Sequence, residues 1–243
     1  MNKTAIVTGA SRGIGATVVE RLAKDGFRVV VNYSGAAEAA EAVVTRVKAV
    51  GGQAIAIQAD VSDATAVGAL FDAAQSEFGG IDVLVNNAGI MTPGGPLAET
   101  SDEFFDRHMA INLKGTFNGL REAARRLRSG GRIINFSSSV VGLYQPNYSV
   151  YVATKAAVEA MTHVLAKELR GRNITVNAVA PGPVATTLFL DGKTQQAIDQ
   201  YAKLAPLERL GQPEDIANVV SFLGGPDGGW VNGQVIRVNG GIL

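Results

Sequence analysis

"TAIVTGASRGIG", Thr4 to Gly15, runs from a short β-branched stretch through a glycine-rich turn into an Ala-rich segment of helical character. A strand, a tight turn and a helix start in that order suit an anionic group. Glycines let the backbone come close, and the first turn of the helix offers N–H donors at the positive end of its dipole. Gly9, Gly13 and Gly15 would serve the turn, the close approach of a pyrophosphate and the contact of helix with sheet. Their spacing is Gly-x3-Gly-x-Gly, not the commoner Gly-x-Gly-x-x-Gly. A structural turn needing positive φ would use the same residues.

The rest of the chain supplies a setting for that turn. Apolar runs recur at 28–32 (RVVVN), 54–58 (AIAIQ), 82–86 (DVLVN), 132–136 (RIINF), 174–180 (ITVNAVA) and 234–238 (QVIRV). Most are nearly continuous in apolar residues, as strands covered on both faces tend to be. Ala-rich segments such as 16–25, 36–50 and 64–78 are long enough for right-handed crossovers. The pattern predicts an α/β fold: one doubly wound, Rossmann-type parallel sheet of about seven strands with helices on both faces. No linker or repeat divides residues 1–243, so one domain is expected. The longest interval without a strand, 181–233, holds a candidate substrate loop or lid at about 184–212.

Composition narrows the function classes. Lys plus Arg and Asp plus Glu number 22 each, so no net field gathers nucleic acid or an anionic membrane. With no cysteine, disulfides and thiolate metal sites are excluded. His108 and His163 have no supporting ligand cluster, and each reads as a core or helix-surface residue; no metal is expected. The N-terminal apolar run is too short for a signal peptide or a membrane span, and a cytoplasmic location is expected.

Sites that prefer NAD usually place an acid about 20 residues beyond the glycines, on the ribose 2′-hydroxyl. Here no acid lies between Asp25 and Glu38. A 2′-phosphate would meet no repulsion, and Arg12 with Asn32, Tyr33 and Ser34 could receive it, which points to NADP rather than NAD. Asp60 and Asn87 follow the third and fourth strands, where ligands of such sheets bind, although either would also serve as a cap or turn former. The candidate cofactor set is completed by Ser11 and Ile14 in the turn, Val61 after Asp60, and Ala88 and Gly89 after Asn87.

"YVATK" places Tyr151 and Lys155 four positions apart, on one face of a helix. An ammonium beside a phenol favours the phenolate and brings tyrosine toward useful acid–base range. Lys155 retains donors for a ribose hydroxyl. Upstream, "NFSSSVVG" (135–142) ends a strand with hydroxyls that could hold a carbonyl oxygen.

Taken together, "TGASRGIG", "NNAG", the serine-rich strand end, "YVATK" and "PG" resemble the short-chain dehydrogenase/reductase family in order and spacing over essentially the whole chain. The resemblance implies strand order 3-2-1-4-5-6-7 and a catalytic Asn-Ser-Tyr-Lys set: Asn112, a serine of 137–139, Tyr151 and Lys155. It assigns Asn112 a water-linked relay to Lys155, and to Pro181, Gly182, Val184 and Thr186 of "PGPVATT" contacts with the nicotinamide. Alignment from the strand selects Ser138, and alignment from "SVVG" selects Ser139. Ser138 is preferred because strand register tolerates insertion less than a loop does. The implied activity is hydride transfer between nicotinamide and a carbonyl or secondary alcohol.

A cofactor-sensing protein or a nucleotide-dependent transferase would share the glycine turn but would not need Ser138, Tyr151 and Lys155 together. Residues 91–97, Tyr144, Tyr148 and Phe189 are expected to wall an apolar substrate pocket. The segment "PLERLGQPEDIA" is similar to 3-oxoacyl-carrier-protein reductases, and Arg125, Arg126, Arg128 and Arg172 either meet an acidic carrier or form a solvated basic face. A sugar or steroid alcohol is the alternative substrate. The family implies a homotetramer; Val158, Met161 and Leu165 would face either a neighbouring subunit or the sheet.

Overall fold

Each of the seven apolar runs forms a strand in the computed structural model, which describes residues 3–243: β1 (Thr4–Val7), β2 (Arg28–Tyr33), β3 (Gln53–Gln58), β4 (Ile81–Asn86), β5 (Leu127–Phe136), β6 (Thr175–Pro181) and β7 (Val235–Val238). All neighbours pair in parallel, in the order β3-β2-β1-β4-β5-β6-β7. The order reverses at β1 and β4, which opens a crevice at the carboxyl ends of the strands, where sheets of this kind bind ligands.

Successive strand residues point to opposite faces, so the sheet builds two cores. On one face Val29, Val31, Val83, Val85 and Ile134 pack with Val18, Leu22 and Val220, under α1 (Gly13–Lys24), α2 (Ala37–Ala49) and a later helix, Pro213–Gly224. On the other, Ile6, Val30, Leu84, Ile133 and Val176 pack with Leu70, Phe71, Leu120 and Leu165. The helices there are α3 (Ala64–Phe78), α5 (Gly115–Arg126) and α7 (Ser149–Glu168). Between α3 and α5 lies the short α4 (Asp102–His108), and between β5 and α7 the single turn α6 (Val140–Leu143).

One feature differs from the sequence reading. Strand β5 starts at Leu127, before the apolar run, because Leu127 pairs with Ile81 across a register shift that the glycines at 130 and 131 accommodate. Of the two places open to the apolar stripe of α7, the sheet is the one it takes: Val158 is fully buried, Leu165 joins the second core and Met161 packs against it.

Interval 181–233 begins with α8 (Thr187–Leu190) and α9 (Gln195–Leu204), neither of which has a buried residue. Both ends of this excursion are tied at one place. Ala185 N–H donates to Gly211 O at 2.8 Å, and Gly211 N–H donates to Pro183 O at 2.9 Å. The chain then enters α10 (Pro213–Gly224) through a reciprocal cap between Gln212 and Asp215 with Pro213 in the first turn. No helix of the described residues is long and apolar enough to cross a membrane.

Candidate active site

The three turn glycines have three distinct physical roles. Gly9 has φ +61°, and a Cβ there would lie 2.8 Å from Ala88 Cα. A Cβ on Gly15 would lie 2.6 Å from both Asn87 Nδ2 and Gly9 O, so only glycine lets α1 close onto the ends of β1 and β4. Gly13, with φ +54°, meets nothing nearer than Thr186 Cγ2 at 3.7 Å; it faces open space at the start of α1. Arg12 is the N-cap and makes no side-chain bond to the helix, so the first-turn amides of α1 point into a cleft without a capping oxygen.

That cleft, about 560 Å³, runs along the strand ends from Tyr33, Ser34 and Asp60 past Ser11, Arg12 and Ile14 to Ala88 and Gly89. An elongated cleft lined by a glycine cradle, uncapped helix donors and an exposed arginine fits a dinucleotide. Several of its residues hold the cradle instead of presenting donors. Asn32, 1% exposed, accepts from Gly9 N–H at 3.3 Å and donates to Ala59 O at 3.0 Å. Asn32 thus staples β2, β3 and the turn while lining the cleft beside Tyr33 and Ser34. Asn87 donates to Thr8 O and Gly9 O, at 2.8 and 3.0 Å. Val61 is buried against Gly115, and its carbonyl accepts from Asn118 at 2.9 Å. Asp60 accepts from both the N–H and the hydroxyl of Ser62. Among the cleft residues that the sequence does not mark are Arg107, on α4, and Ile111, in the turn that follows it. Nothing local in the sequence marks them, since their place follows from how α4 crosses the strand ends.

An inner cavity of about 140 Å³ continues from this cleft, sharing Ile14, Asn87, Gly89 and Thr186 with it and reaching Ser138, Tyr151 and Lys155. The three serines after β5 separate cleanly. Ser137 donates to Glu159 at 2.6 Å; Ser139 donates to Ala180 O at 3.1 Å and accepts from Asn239 at 3.0 Å. Ser138 lines the cavity together with Tyr151, and its hydroxyl is the group that favours the Tyr151 phenolate against burial.

Tyr151 and Lys155 share the buried face of α7, with Lys155 Nζ 5.8 Å from the Tyr151 ring centre. Burial dominates both groups. It pushes Tyr151 up to about 12 against the opposing Ser138 hydrogen bond, and brings Lys155 down to about 8. The expected lowering of Tyr151 by the ammonium is thus not the balance found: Nζ donates to Phe136 O at 2.8 Å, and both groups are withdrawn from water. Asn112 lies in a π-helical turn, Met109–Lys114, that joins α4 to α5. Its amide group is fully engaged by Ile90, accepting from the N–H at 2.8 Å and donating to the O at 3.0 Å. The main-chain carbonyl of Asn112 accepts from the Thr116 hydroxyl at 2.8 Å. Gly89 packs against both: a Cβ there would lie 3.1 Å from Asn112 Oδ1 and 3.6 Å from Lys155 Nζ.

Pro181, Gly182, Val184 and Thr186 form the opposite wall with Leu188 and Phe189. Thr186 also caps α8, accepting from Phe189 N–H at 3.3 Å. The four arginines considered for an acidic carrier do not reach this site. Arg126 pairs with Asp72 and Glu122, Arg125 with Glu122, Arg128 with Asp82, and Arg172 donates to Ala124 O and Leu127 O. They surround the start of β5, whereas Ser138 follows its end, roughly 25–30 Å away at strand rise. Buried His108 stacks on Phe104 and bonds its carbonyl, while His163 is exposed. Among the described residues no group of three or more His, Cys, Asp or Glu could hold a metal.

Comparison with known proteins agrees with this geometry. Residues 9–243 match the family model described as enoyl-(acyl carrier protein) reductase. A short-chain type dehydrogenase/reductase of Picea abies is 49% identical over 98% of this chain and 92% of its own length. An NADPH-dependent aldehyde reductase-like protein of Arabidopsis thaliana is 46% identical over 99% of this chain and 94% of its own. The crystal structure of a short chain dehydrogenase from Burkholderia cenocepacia in complex with NADP superposes with a TM-score of 0.93 at 39% identity, covering 99% and 97% of the two chains. With a seven-stranded parallel sheet, a glycine cradle opening onto Tyr151 and Lys155, and relatives alike along their whole length, the chain belongs to the short-chain dehydrogenase/reductase family.

Proposed function

We propose that this oxidoreductase uses NADP(H) to interconvert a carbonyl compound and its secondary alcohol, with Tyr151 as the group that gives or takes the proton. The observation that carries the reading is that the Ser138 and Tyr151 hydroxyls and Lys155 line one cavity continuous with a dinucleotide cleft. NADP is favoured by the lack of an acid between Asp25 and Glu38 and by the exposed Arg12 at the cleft; the aldehyde reductase-like relative and the NADP-bound neighbour support the same choice. When bound, NADPH supplies the hydride. Arg12 with Tyr33 and Ser34 meets its 2′-phosphate, and the first-turn amides of α1 meet its pyrophosphate.

Ser138 holds the carbonyl oxygen, and Tyr151, protonated throughout the neutral range, donates to it. Lys155, largely an ammonium at neutral pH, spends one donor on Phe136 O and keeps two for ribose hydroxyls. The main-chain carbonyl of Asn112 leads protons toward Lys155. The segment 184–212 acts as a lid, hinged at the Val184 and Gly211 bridge. A protein that only senses the cofactor would have no use for the Ser138 and Tyr151 pair.

Replacing Tyr151 with Phe removes only the hydroxyl. NADPH affinity should stay within about twofold while carbonyl reduction, followed at 340 nm, falls by roughly 10²–10⁴. Full turnover in that variant would end the assignment.

A further inference from the structure

Apart from Ile14 and Lys155, the cavity at Tyr151 is walled by three segments, 87–98, 133–154 and 174–190. None of them contains an aspartate, glutamate, lysine, arginine or histidine. The cavity of about 140 Å³ is close to the ~150 Å³ that holds one benzene. The nicotinamide expected against Pro181 to Thr186 takes part of that space, so only the reacting end of a substrate fits beside Tyr151 and the remainder lies at the mouth.

That mouth is aromatic. Tyr148, at the N-terminus of α7, sets its ring edge-on to Tyr151 with centres 6.5 Å apart. Across from it Phe189 of α8 lines the cavity, and Tyr201 of α9 packs edge-on against Phe189 at 5.2 Å. The Tyr148 phenol is raised above the usual tyrosine range by burial and then by Tyr201. The one lysine nearby, Lys193, is already committed, its Nζ 4.4 Å from the centre of the Phe189 ring and bonded to the Phe189 carbonyl. The arginines that an acidic carrier would need lie at the other end of β5.

We propose that this mouth selects a free, uncharged carbonyl compound with a planar apolar body, held between Tyr148 and the Phe189–Tyr201 pair, and that Tyr201 is the residue that determines this specificity. The inference rests on the reading of Tyr151 as the proton donor to a carbonyl. Ring faces and edges reward a flat apolar partner. A phosphate-bearing thioester would have to strip its anions of water at a mouth whose lysine, Lys193, is committed to Phe189.

The test uses the full chain with NADPH and two substrates: 1-phenyl-1,2-propanedione, uncharged and planar, and acetoacetyl-coenzyme A, a phosphate-bearing thioester. The diketone should be preferred in kcat/KM by about a hundredfold. Tyr201→Ala should cut that preference about tenfold, through the KM of the diketone, with NADPH affinity unchanged. Tyr201→Phe, which keeps the ring, should retain the preference. Equal use of the thioester, an equal loss on both substrates in Tyr201→Ala, or a Phe variant as impaired as the Ala variant would each overturn the proposal. A thioester reduced as well as the diketone, by a route that still depends on Tyr151, would overturn it while leaving the reductase reading intact; no Tyr151-dependent reduction of either would bring down both.

Discussion

Ser137, Ser138 and Ser139 are identical in type and adjacent in sequence, yet their partners divide them into a tie to α7, a ligand of Tyr151 and a tie to β6 and Asn239. Ser138→Ala should therefore reduce kcat/KM by about 10²–10³ with little change in melting temperature. Ser139→Ala should instead destabilise the fold by about 1–2 kcal/mol, since it removes a buried hydroxyl bonded to both Ala180 O and Asn239. A Ser139 variant with the larger catalytic loss and unchanged stability would reverse the assignment. Lys155 carries a second consequence. Its folded pKa, about 8, lies below the 10.5 of a free lysine, so the folded state releases this proton first. Below pH 8 the buried ammonium opposes folding; between about pH 8 and 10.5 the unfolded chain holds the extra proton and stability rises, by on the order of 2–3 kcal/mol in all. Tyr151, raised from 10.0 to about 12, acts in the opposite sense and takes stability away between pH 10 and 12. Thermal melts should thus climb from pH 7.5 to 9.5 in the wild-type protein and climb less in Lys155→Met. Parallel curves for the two proteins would show that Lys155 is not the titrating group.

The elements that position the site are of two kinds, and only one was legible in the sequence. Strands β1 to β7 and the turn at Gly9 to Gly15 announce themselves because their constraints are local: apolar continuity for a doubly covered strand, glycine for positive φ and close approach. What packs across the sheet is written nowhere near the residue it affects. The inward turn of Asn32, the sheet-facing stripe of α7 and the placement of Arg107 in the cleft depend on partners far away in the chain. The π turn at Asn112 was equally hidden, since "MAINLK" has the composition of an ordinary helix, and only its bonds to Ile90 reveal why the extra residue is accommodated there. The excursion after β6 was visible as an interval without strands, but the tie that closes it was not. Because α8 and α9 bury no residue while Ala185 donates to Gly211 and Gly211 to Pro183, local opening should be confined between positions 185 and 211. Brief proteolysis should cut first within 187–204, and saturating NADPH should slow that cut. First cleavage within α1 or β5 would show that the excursion is no looser than the sheet.

Across the whole molecule, balanced charge conceals a strong segregation. The walls above Tyr151 are uncharged, while Arg125, Arg126, Arg128 and Arg172 gather with their acidic partners at the opposite end of β5. Apolar surface is segregated as well. Trp230, the sole tryptophan of the chain, is 98% exposed, with Phe222 of α10 43% exposed, and β7 is an edge strand with one side unpaired. A fully solvated indole beside an open sheet edge is an unfavourable surface for a lone chain, and the homotetramer implied by the family resemblance gives it a place to be buried. Because there is one tryptophan, its emission reports that contact directly. At micromolar concentration the emission should be blue-shifted relative to free indole, and it should move to the red on dilution or in Trp230-flanking variants such as Phe222→Glu. Sedimentation over the same range should show the assembly dissociating in step. Emission of a fully solvated indole at every concentration, with a monomer in the centrifuge, would leave Trp230 exposed in the working enzyme and remove the tetramer from the description.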